Sequence, residues 1–308
     1  MKMEKGLHLR IGNSGKPFIG RAFPYLLLLP SLIPIIVILL YPIAQTIVLS
    51  TFKINMLRPL NDRFVGFENY IEMVQTPSFW LGITNSFRIT FFVVLGSLTL
   101  GLVFSMLLNM PFKGRGIFRS LIIIPWAAPA VAAVLVWLWI LDFQFGVLNY
   151  ILRTIGLAAD NIQWLTNTSL AVFSVIIVII WKQFGISTIM LLAGLQTIDP
   201  GLYEASMIDG ANVFVRFCYI TLPGLRTSGG VLILLITVWT FREFTILQIM
   251  TQGGPARATE TLVLQTYLEA FKFYSTGSAA ALGMVTFCIS IIISIVYYKA
   301  LLSKRGDE

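Results

Sequence analysis

The chain has 308 residues, of which 57% are hydrophobic and only 12% are charged, and its mean hydropathy is +0.84. Soluble domains contain about a quarter charged residues, so this chain cannot cover a water-facing surface and is predicted to be an integral membrane protein. Its net charge of +8 does not indicate nucleic-acid binding, because no polar face interleaves Lys or Arg with aromatic residues.

Six apolar segments are long enough to cross a bilayer, which takes about 20 residues of helix. They are residues 25–49, 82–109, 119–141, 169–197, 229–250 and 279–302. The first segment is longer than the apolar part of a signal peptide, and no small-residue cleavage site follows it, so we interpret it as a retained span. The sequence therefore predicts an all-α membrane protein with six transmembrane helices.

The basic residues predict the orientation of these spans. With the N-terminus in the cytoplasm, thirteen Lys and Arg residues fall on the inner side and six on the outer side. Cytoplasmic loops carry such an excess, so both termini are predicted to be cytoplasmic. The predicted divisions are an N-terminal tail at 1–24, a first span with its outer loop at 25–81, a transmembrane domain at 82–302 and a C-terminal tail at 303–308.

Residues for common catalytic sites are missing from the sequence. The only histidine is His8, so neither an H-E-x-x-H zinc site nor a His-based triad can form. No G-x-x-x-x-G-K-[ST] motif is present, so the chain has no phosphate-binding loop for ATP. We therefore predict a non-catalytic chain with no metal or cofactor site of its own.

A charged, turn-rich segment at 198–228 separates the fourth and fifth predicted spans and falls on the cytoplasmic side. Asp199 is a good helix N-cap and Pro200 a good first helical residue. A short helix is therefore predicted to run from Pro200 to about Asp209, where Gly210 supplies a turn.

A second short helix is predicted after this turn, capped by Asn212 and ended by Pro223. One of its faces is mostly apolar and is predicted to pack against the spans: Phe214, Phe217, Cys218 and Thr221. On the first helix, Glu204 and Ile208 share a face that is presented outward. The pattern fits two hypotheses equally, a docking element for a partner protein or an amphipathic hairpin lying on the bilayer.

The same segment resembles the EAA signature of permease subunits in binding-protein-dependent ABC importers. That signature reads E-A-A, three residues, G, nine residues and then I-x-L-P, and the spacing is intact here. The matching positions are Glu204-Ala205-Ser206, Gly210 and Ile220-Thr221-Leu222-Pro223, with Ser206 in place of the second alanine. The phrases FVGFENYIEMV, KGRGIFRSLIIIPWAAP, FGVLNYIL, TQGGP and TETLVLQTYLEAF also resemble the maltose-type sugar permeases, so the resemblance covers about residues 60–302.

The resemblance implies the fold of a type I ABC importer permease, in which this cytoplasmic loop forms a coupling helix seated in a cleft of an ATPase. We call residues 198–228 the docking loop. The resemblance assigns five of its residues to ATPase docking: Glu204, Ala205, Ser206, Asp209 and Gly210. The implied partners are a cytoplasmic ATPase dimer, a second permease that forms a heterodimer with this one, an extracytoplasmic substrate-binding protein and membrane lipid.

The implied activity is uptake of a mono- or oligosaccharide, or a derivative, by alternating access across the inner membrane of a bacterial or archaeal cell. Two alternatives stay open. One is an ABC permease for a polyol phosphate or an amino acid. The other is an ion-coupled secondary transporter, which needs ionisable residues within the membrane but no docking loop.

Ionisable residues do occur within the predicted spans. A central Lys or Arg costs roughly 2.5–3.5 kcal/mol to insert, so such side chains should face protein or water. In a structural hypothesis, Glu243 neutralises Lys182 or Arg242. In a functional hypothesis, a sugar-sized cavity is lined by Lys182, Gln183, Trp239, Arg242 and Glu243, because a sugar site needs aromatic faces and polar groups. Arg88 and Asn85, near the outer end of the second span, are predicted to extend towards the interface.

Overall fold

The computed structural model describes residues 27–28, 30–58, 60 and 62–302. The tails predicted at 1–24 and 303–308 lie outside the described residues. The chain divides into two units, Met1–Val48 and Leu49–Glu308. Most of helix α1 (Pro30–Ser50) belongs to the first unit, and its most apolar stretch has a mean hydropathy of 2.4, as a membrane span requires.

The second unit contains one short antiparallel strand pair among its described residues, β1 (Phe52–Lys53) and β2 (Arg63–Phe64). Its helices are α2 (Glu68–Gln75), α3 (Pro77–Asn109), α4 (Arg115–Ala127), α5 (Ala130–Ile140), α6 (Val147–Thr154), α7 (Thr168–Leu195), α8 (Pro200–Ile208), α9 (Val213–Gly224), α10 (Arg226–Phe241), α11 (Thr245–Met250), α12 (Leu262–Tyr267) and α13 (Thr276–Leu302). Stretches of π-helix lie within α1 at Ile35–Leu40, within α9 at Phe217–Thr221 and after α12 at Leu268–Lys272.

Four of the described helices, α1, α3, α7 and α13, are each long and apolar enough to cross a membrane. Two further candidate spans are bent pairs, α4 with α5 at 94° and α9 with α10 at 66°. The described residues therefore hold four spans, or up to six if each bent pair is one span. This confirms a largely helical chain with several membrane-spanning helices.

Two of the predicted spans are not single straight helices. The third, 119–141, breaks between α4 and α5, where Pro129 cannot donate a backbone hydrogen bond and disfavours helical geometry in Ala128. The fifth, 229–250, breaks at 242–244 between α10 and α11. Neither break was predicted, because hydropathy averages over a window and does not detect a change in helix direction.

Helix α7 lies at the centre of the second unit. In its most apolar stretch 61% of the residues are buried, against 28% in the corresponding stretches of α3 and α13. Glycines allow this close packing: a Cβ on Gly101 of α3 would lie 2.7 Å from the Ser187 Cβ of α7, and one on Gly185 would lie 2.1 Å from the Ile122 carbonyl oxygen of α4. Small residues at such contacts let helix backbones approach closely within a membrane.

The predicted outer loop that follows α1 is held together by polar contacts. Asn69 of α2 donates to the carbonyl oxygens of Ser50 and Phe52 at 2.8 and 2.9 Å. Lys53 is paired with Glu72 at 2.6 Å, and this hydrogen bond raises the pKa of the Lys53 ammonium above its usual value.

Arg88 and Asn85 hold the loop at 251–261 onto α3. The Asn85 amide donates to the carbonyl oxygens of Arg257 and Glu260 at 2.9 and 3.0 Å, and Arg88 donates to that of Ala258 at 2.9 Å. The predicted extension towards the interface is therefore wrong for Asn85, which is buried, because backbone carbonyls satisfy its amide inside the protein. Arg88 is exposed, and its extension towards the interface stays a prediction.

Candidate functional site: docking loop and intramembrane cavity

The first helix of the docking loop begins where the sequence predicted. The Asp199 side chain accepts a hydrogen bond from the backbone N–H of Gly201 at 2.9 Å, and Pro200 is the first residue of α8. The cap satisfies one of the N–H groups that a helix start leaves without a partner. The start of α8 is therefore fixed by local residues.

The turn at Gly210 has a conformation that favours glycine. Its φ is +78°, in the left-handed region. The N–H of Gly210 donates to the Met207 carbonyl at 3.2 Å and that of Ala211 to the Ser206 carbonyl at 2.9 Å, which is the Schellman pattern. A Cβ on Gly210 would meet nothing within 4 Å among the described residues, so the requirement for glycine within this chain comes from the backbone.

The second helix of the docking loop only partly matches the prediction. Asn212 caps it by accepting from the Val215 N–H at 2.9 Å, and the helix continues one residue past Pro223 to Gly224. On the face predicted to pack against the spans, Thr221 is buried, Phe217 and Cys218 are half-buried, and Phe214 is 73% exposed. The prediction is wrong for Phe214, because it lies in the first turn of α9, where the neighbouring residues are also exposed.

The predicted docking residues form an exposed surface. Glu204, Ala205, Asp209 and Gly210 are exposed, and Ser206 is half-buried with its hydroxyl donating to the Tyr203 carbonyl at 2.8 Å. Among the described residues, neither Glu204 nor Asp209 forms a side-chain hydrogen bond or an ion pair. The adjacent Ile208 is 87% exposed. The loop thus offers unpaired carboxylates beside an apolar side chain, on a backbone that is fixed by its caps and turn.

Lys182, one of the predicted pathway residues, binds the end of a broken helix. Its ammonium donates to the Ala128 carbonyl at 2.8 Å and to the Trp126 carbonyl at 3.4 Å, where α4 ends. A helix C-terminus leaves carbonyls without intrahelical partners, and a cation there also interacts favourably with the helix dipole. Lys182 therefore caps α4 at the bend between α4 and α5.

Gln183 and Glu243 act at the second break. Gln183 is only 6% exposed, and its amide nitrogen lies 3.2 Å from the Thr240 hydroxyl in the last turn of α10. Glu243 accepts from the Ile246 N–H at 3.0 Å at the start of α11. No described residue forms an ion pair with Glu243 within 4.0 Å, so the predicted neutralisation of Lys182 or Arg242 by direct pairing is not found.

Arg242 lines a cavity of about 600 Å³ between α10, α12 and α13. We call this the Arg242 cavity; its lining residues include Val238, Arg242, Phe244, Thr266, Tyr267, Phe271, Thr286, Ser290 and Ser294. Trp239 is 40% exposed but is not part of this lining. Of the five predicted pathway residues, only Arg242 lines the cavity, and a role in transport stays a prediction for all five.

The sequence analysis missed most of the cavity's polar and aromatic residues. Thr286, Ser290 and Ser294 recur every four residues in an otherwise apolar span, and this spacing on one helix face was the available signal. Tyr267 and Phe271 gave no such signal, because they lie in a loop whose fold was not predicted.

The chain is similar to known proteins over most of its length. A model for the binding-protein-dependent transport system inner membrane component matches residues 97–304. The chain belongs to this family. Permease protein SmoG of the sulfoquinovosyl glycerol transport system of Agrobacterium fabrum is 36% identical over 92% of this chain and 92% of its own. Permease protein MalF of the trehalose/maltose transport system of Thermococcus litoralis is 35% identical over 89% of this chain and 92% of its own.

The fold is also shared with a solved structure. A chain of a bacterial alginate ABC transporter, in complex with an alginate pentasaccharide-bound periplasmic protein, matches 91% of this chain and 94% of its own with a TM-score of 0.76. Its sequence identity is 21%, so this similarity concerns the fold alone. The predicted resemblance to importer permeases is confirmed by the family match, and with it the prediction of a non-catalytic transport subunit.

Proposed function

We propose that this chain is the transmembrane permease subunit of an ATP-driven ABC importer that carries a carbohydrate by alternating access. In this proposal α4 with α5 forms one span and α10 with α11 another, while α9 stays in the cytoplasmic docking loop. Together with α1, α3, α7 and α13 this gives six spans in the inner membrane of a bacterial or archaeal cell. The excess of basic residues on one side supports cytoplasmic termini and a cytoplasmic docking loop.

The observation that carries the proposal is the exposed, locally fixed docking loop. Glu204 and Asp209 are charged and unpaired among the described residues, and the Gly210 turn leaves open space beside it. A carboxylate there can accept charge-assisted hydrogen bonds from basic residues of an ATPase. Ala205 and Ser206 are small and allow close approach. The chain has no phosphate-binding loop of its own, so ATP hydrolysis falls to a cytoplasmic ATPase dimer.

The remaining partners in the proposal are a second permease, forming a heterodimer, and an extracytoplasmic substrate-binding protein. The periplasmic protein bound to the alginate transporter supports the latter. The Arg242 cavity supports a carbohydrate cargo, because it combines aromatic rings with hydroxyl groups in a volume suited to a small ligand. The named cargoes of SmoG, MalF and the alginate transporter are sugar compounds, which agrees with this choice.

The proposal is tested by uptake into proteoliposomes that contain the permease pair and the ATPase dimer. With the binding protein and a labelled sugar outside, we expect uptake only when ATP is enclosed on the ATPase side. An ionophore that collapses proton and sodium gradients should leave this uptake unchanged. Uptake that persists without ATP and stops with the ionophore would identify an ion-coupled transporter instead. ATP-driven uptake of an amino acid or a polyol phosphate, but of no sugar, would support an ATP-driven importer and contradict the proposed carbohydrate cargo.

A further inference from the structure

Arg242 is a charged side chain without a partner in an apolar part of the chain. It follows the last residue of α10, is exposed to the Arg242 cavity, and forms no side-chain hydrogen bond or ion pair with any described residue. None of the described residues that line the cavity is acidic. A guanidinium in a membrane-spanning region is costly unless something pairs with it. The cavity therefore has one unsatisfied cation and no internal anion.

The hydroxyl groups of the cavity need hydrogen-bond donors from a ligand, whereas Arg242 needs an acceptor. Each donates its proton at 2.8 or 2.9 Å to the carbonyl four residues earlier in its own helix: Thr266, Thr286, Ser290 and Ser294. A hydroxyl has one proton and two lone pairs, so these oxygens can still accept but not donate. A ligand must therefore bring hydrogen-bond donors to α13 and an acceptor, preferably an anion, to Arg242.

Aromatic side chains set the remaining requirement. The ring centroids of Phe244 and Tyr267 lie 4.9 Å apart, and those of Tyr267 and Phe271 lie 5.1 Å apart, so the three rings form a continuous series. Such rings present flat apolar faces against which the C–H face of a pyranose can pack. An open-chain polyol or a small amino acid would leave most of this surface uncovered.

We propose that the Arg242 cavity binds an acidic sugar whose carboxylate pairs with Arg242. Its ring lies on the aromatic series, and its hydroxyl groups donate to Ser290 and its neighbours on α13. This inference rests on the proposed function and narrows the cargo from carbohydrates in general to anionic carbohydrates. A guanidinium forms two parallel hydrogen bonds with an anion of this kind, which a neutral sugar cannot match.

The test is equilibrium binding to the assembled importer in lipid nanodiscs, without the binding protein. The probes are three pairs that differ only at C6: glucose and glucuronate, galactose and galacturonate, mannose and mannuronate. For at least one pair we expect the uronate to bind about tenfold more tightly or better, as for a hydrogen-bonded charge. In Arg242→Gln the affinity for that uronate should fall to the affinity for its hexose.

Two further variants control for assembly and for general charge effects. Arg242→Lys keeps the charge and should retain part of the preference. Arg153→Gln removes an exposed basic residue of α6, which lies outside the cavity, and should retain all of it.

Three results would overturn the inference. Equal binding within all three pairs would refute it while leaving a carbohydrate importer intact, and so would a uronate preference that survives Arg242→Gln. If the importer with Arg242→Gln no longer contained the partner permease, and Arg242→Lys showed no uronate preference, Arg242 would be assigned to the subunit interface. The proposed function itself would fail on a separate measurement, the absence of ATP-driven uptake for every hexose and uronate.

Discussion

Polar side chains are held by different contacts in the docking loop and at the two helix breaks, one between α4 and α5 and the other between α10 and α11. In the docking loop, Asp199 and Asn212 bond to backbone groups two or three residues away, and Glu204 stays exposed. At the breaks, Lys182 reaches a carbonyl 54 residues away and Gln183 a hydroxyl 57 residues away. One region is folded by its neighbours in sequence, and the other by contacts between distant segments.

This difference separates function from stability. Substitution of Glu204 or Asp209 removes a carboxylate that binds nothing else among the described residues, so the spans should remain intact. Substitutions at the breaks remove bonds between distant segments and leave half-buried or buried polar groups without partners, which destabilises the protein. Adjacent residues of α7, Lys182 and Gln183, hold the ends of α4 and α10, so both breaks depend on one short stretch.

The largest effect is expected from Gly210→Asp, with Glu204→Ala as a second variant. Asp at φ +78° is strained, and its side chain would fill the space where a partner approaches. Losing one member of a buried charge pair costs about 2–5 kcal/mol of binding. Both variants should abolish ATP-driven uptake and binding-protein-stimulated ATP hydrolysis while the permease keeps its melting temperature.

Gly156→Asp is the matched control for Gly210→Asp. Gly156 lies on the predicted outer side at φ +75°, and a Cβ there also meets nothing within 4 Å among the described residues. The backbone strain is therefore comparable, but uptake should continue. If Gly156→Asp also abolished uptake, the effect would come from strain, and the docking assignment would lose its support.

The second largest effect is expected from Lys182→Met, which leaves the carbonyls of Trp126 and Ala128 without this donor. A buried polar group left unsatisfied costs about 1–3 kcal/mol, and the half-buried Ala128 carbonyl accounts for most of the expected loss because the residue Trp126 is exposed. The variant should therefore melt at a lower temperature in detergent, and Lys182→Arg should recover part of the loss. Wild-type stability combined with lost uptake would instead place Lys182 in the transport pathway.

The sequence predicted features that depend on local contacts better than features that depend on contacts between distant segments. The cap at Asp199 and the turn at Gly210 were predictable because each depends on a residue type and a few neighbours. The exposure of Phe214 was not predictable, because it depends on how far the first turn of α9 lies from the spans, which no period in the sequence records. Lys182 was recognised as unusual within a span, but its acceptor depends on how α4 packs against α7, which one sequence does not encode locally.

A smaller effect is expected at Gln183, because its partner is a side chain and not the backbone. Gln183→Leu removes the bond to the Thr240 hydroxyl and should cost about 1 kcal/mol. Adding Thr240→Val removes the second polar group and should recover most of that loss, since replacing both partners with apolar groups is nearly neutral. Thermal melting of the two single variants and the double variant measures this. Additive losses would mean that the two side chains do not stabilise each other.

The smallest effect is expected from Asn212→Ala, which removes the cap of α9. A lost N-cap costs about 0.5–2 kcal/mol, but only of the local helix, because α9 begins in the exposed part of the docking loop. Amide hydrogen exchange of Val215 should accelerate several-fold, as expected for about 1 kcal/mol, while the melting temperature of the spans stays unchanged. Asn212→Asp keeps the accepting oxygen and should restore slow exchange. A fall in the melting temperature of the whole chain would show that the docking loop is not folded by local bonds alone, and the contrast with the helix breaks would fail.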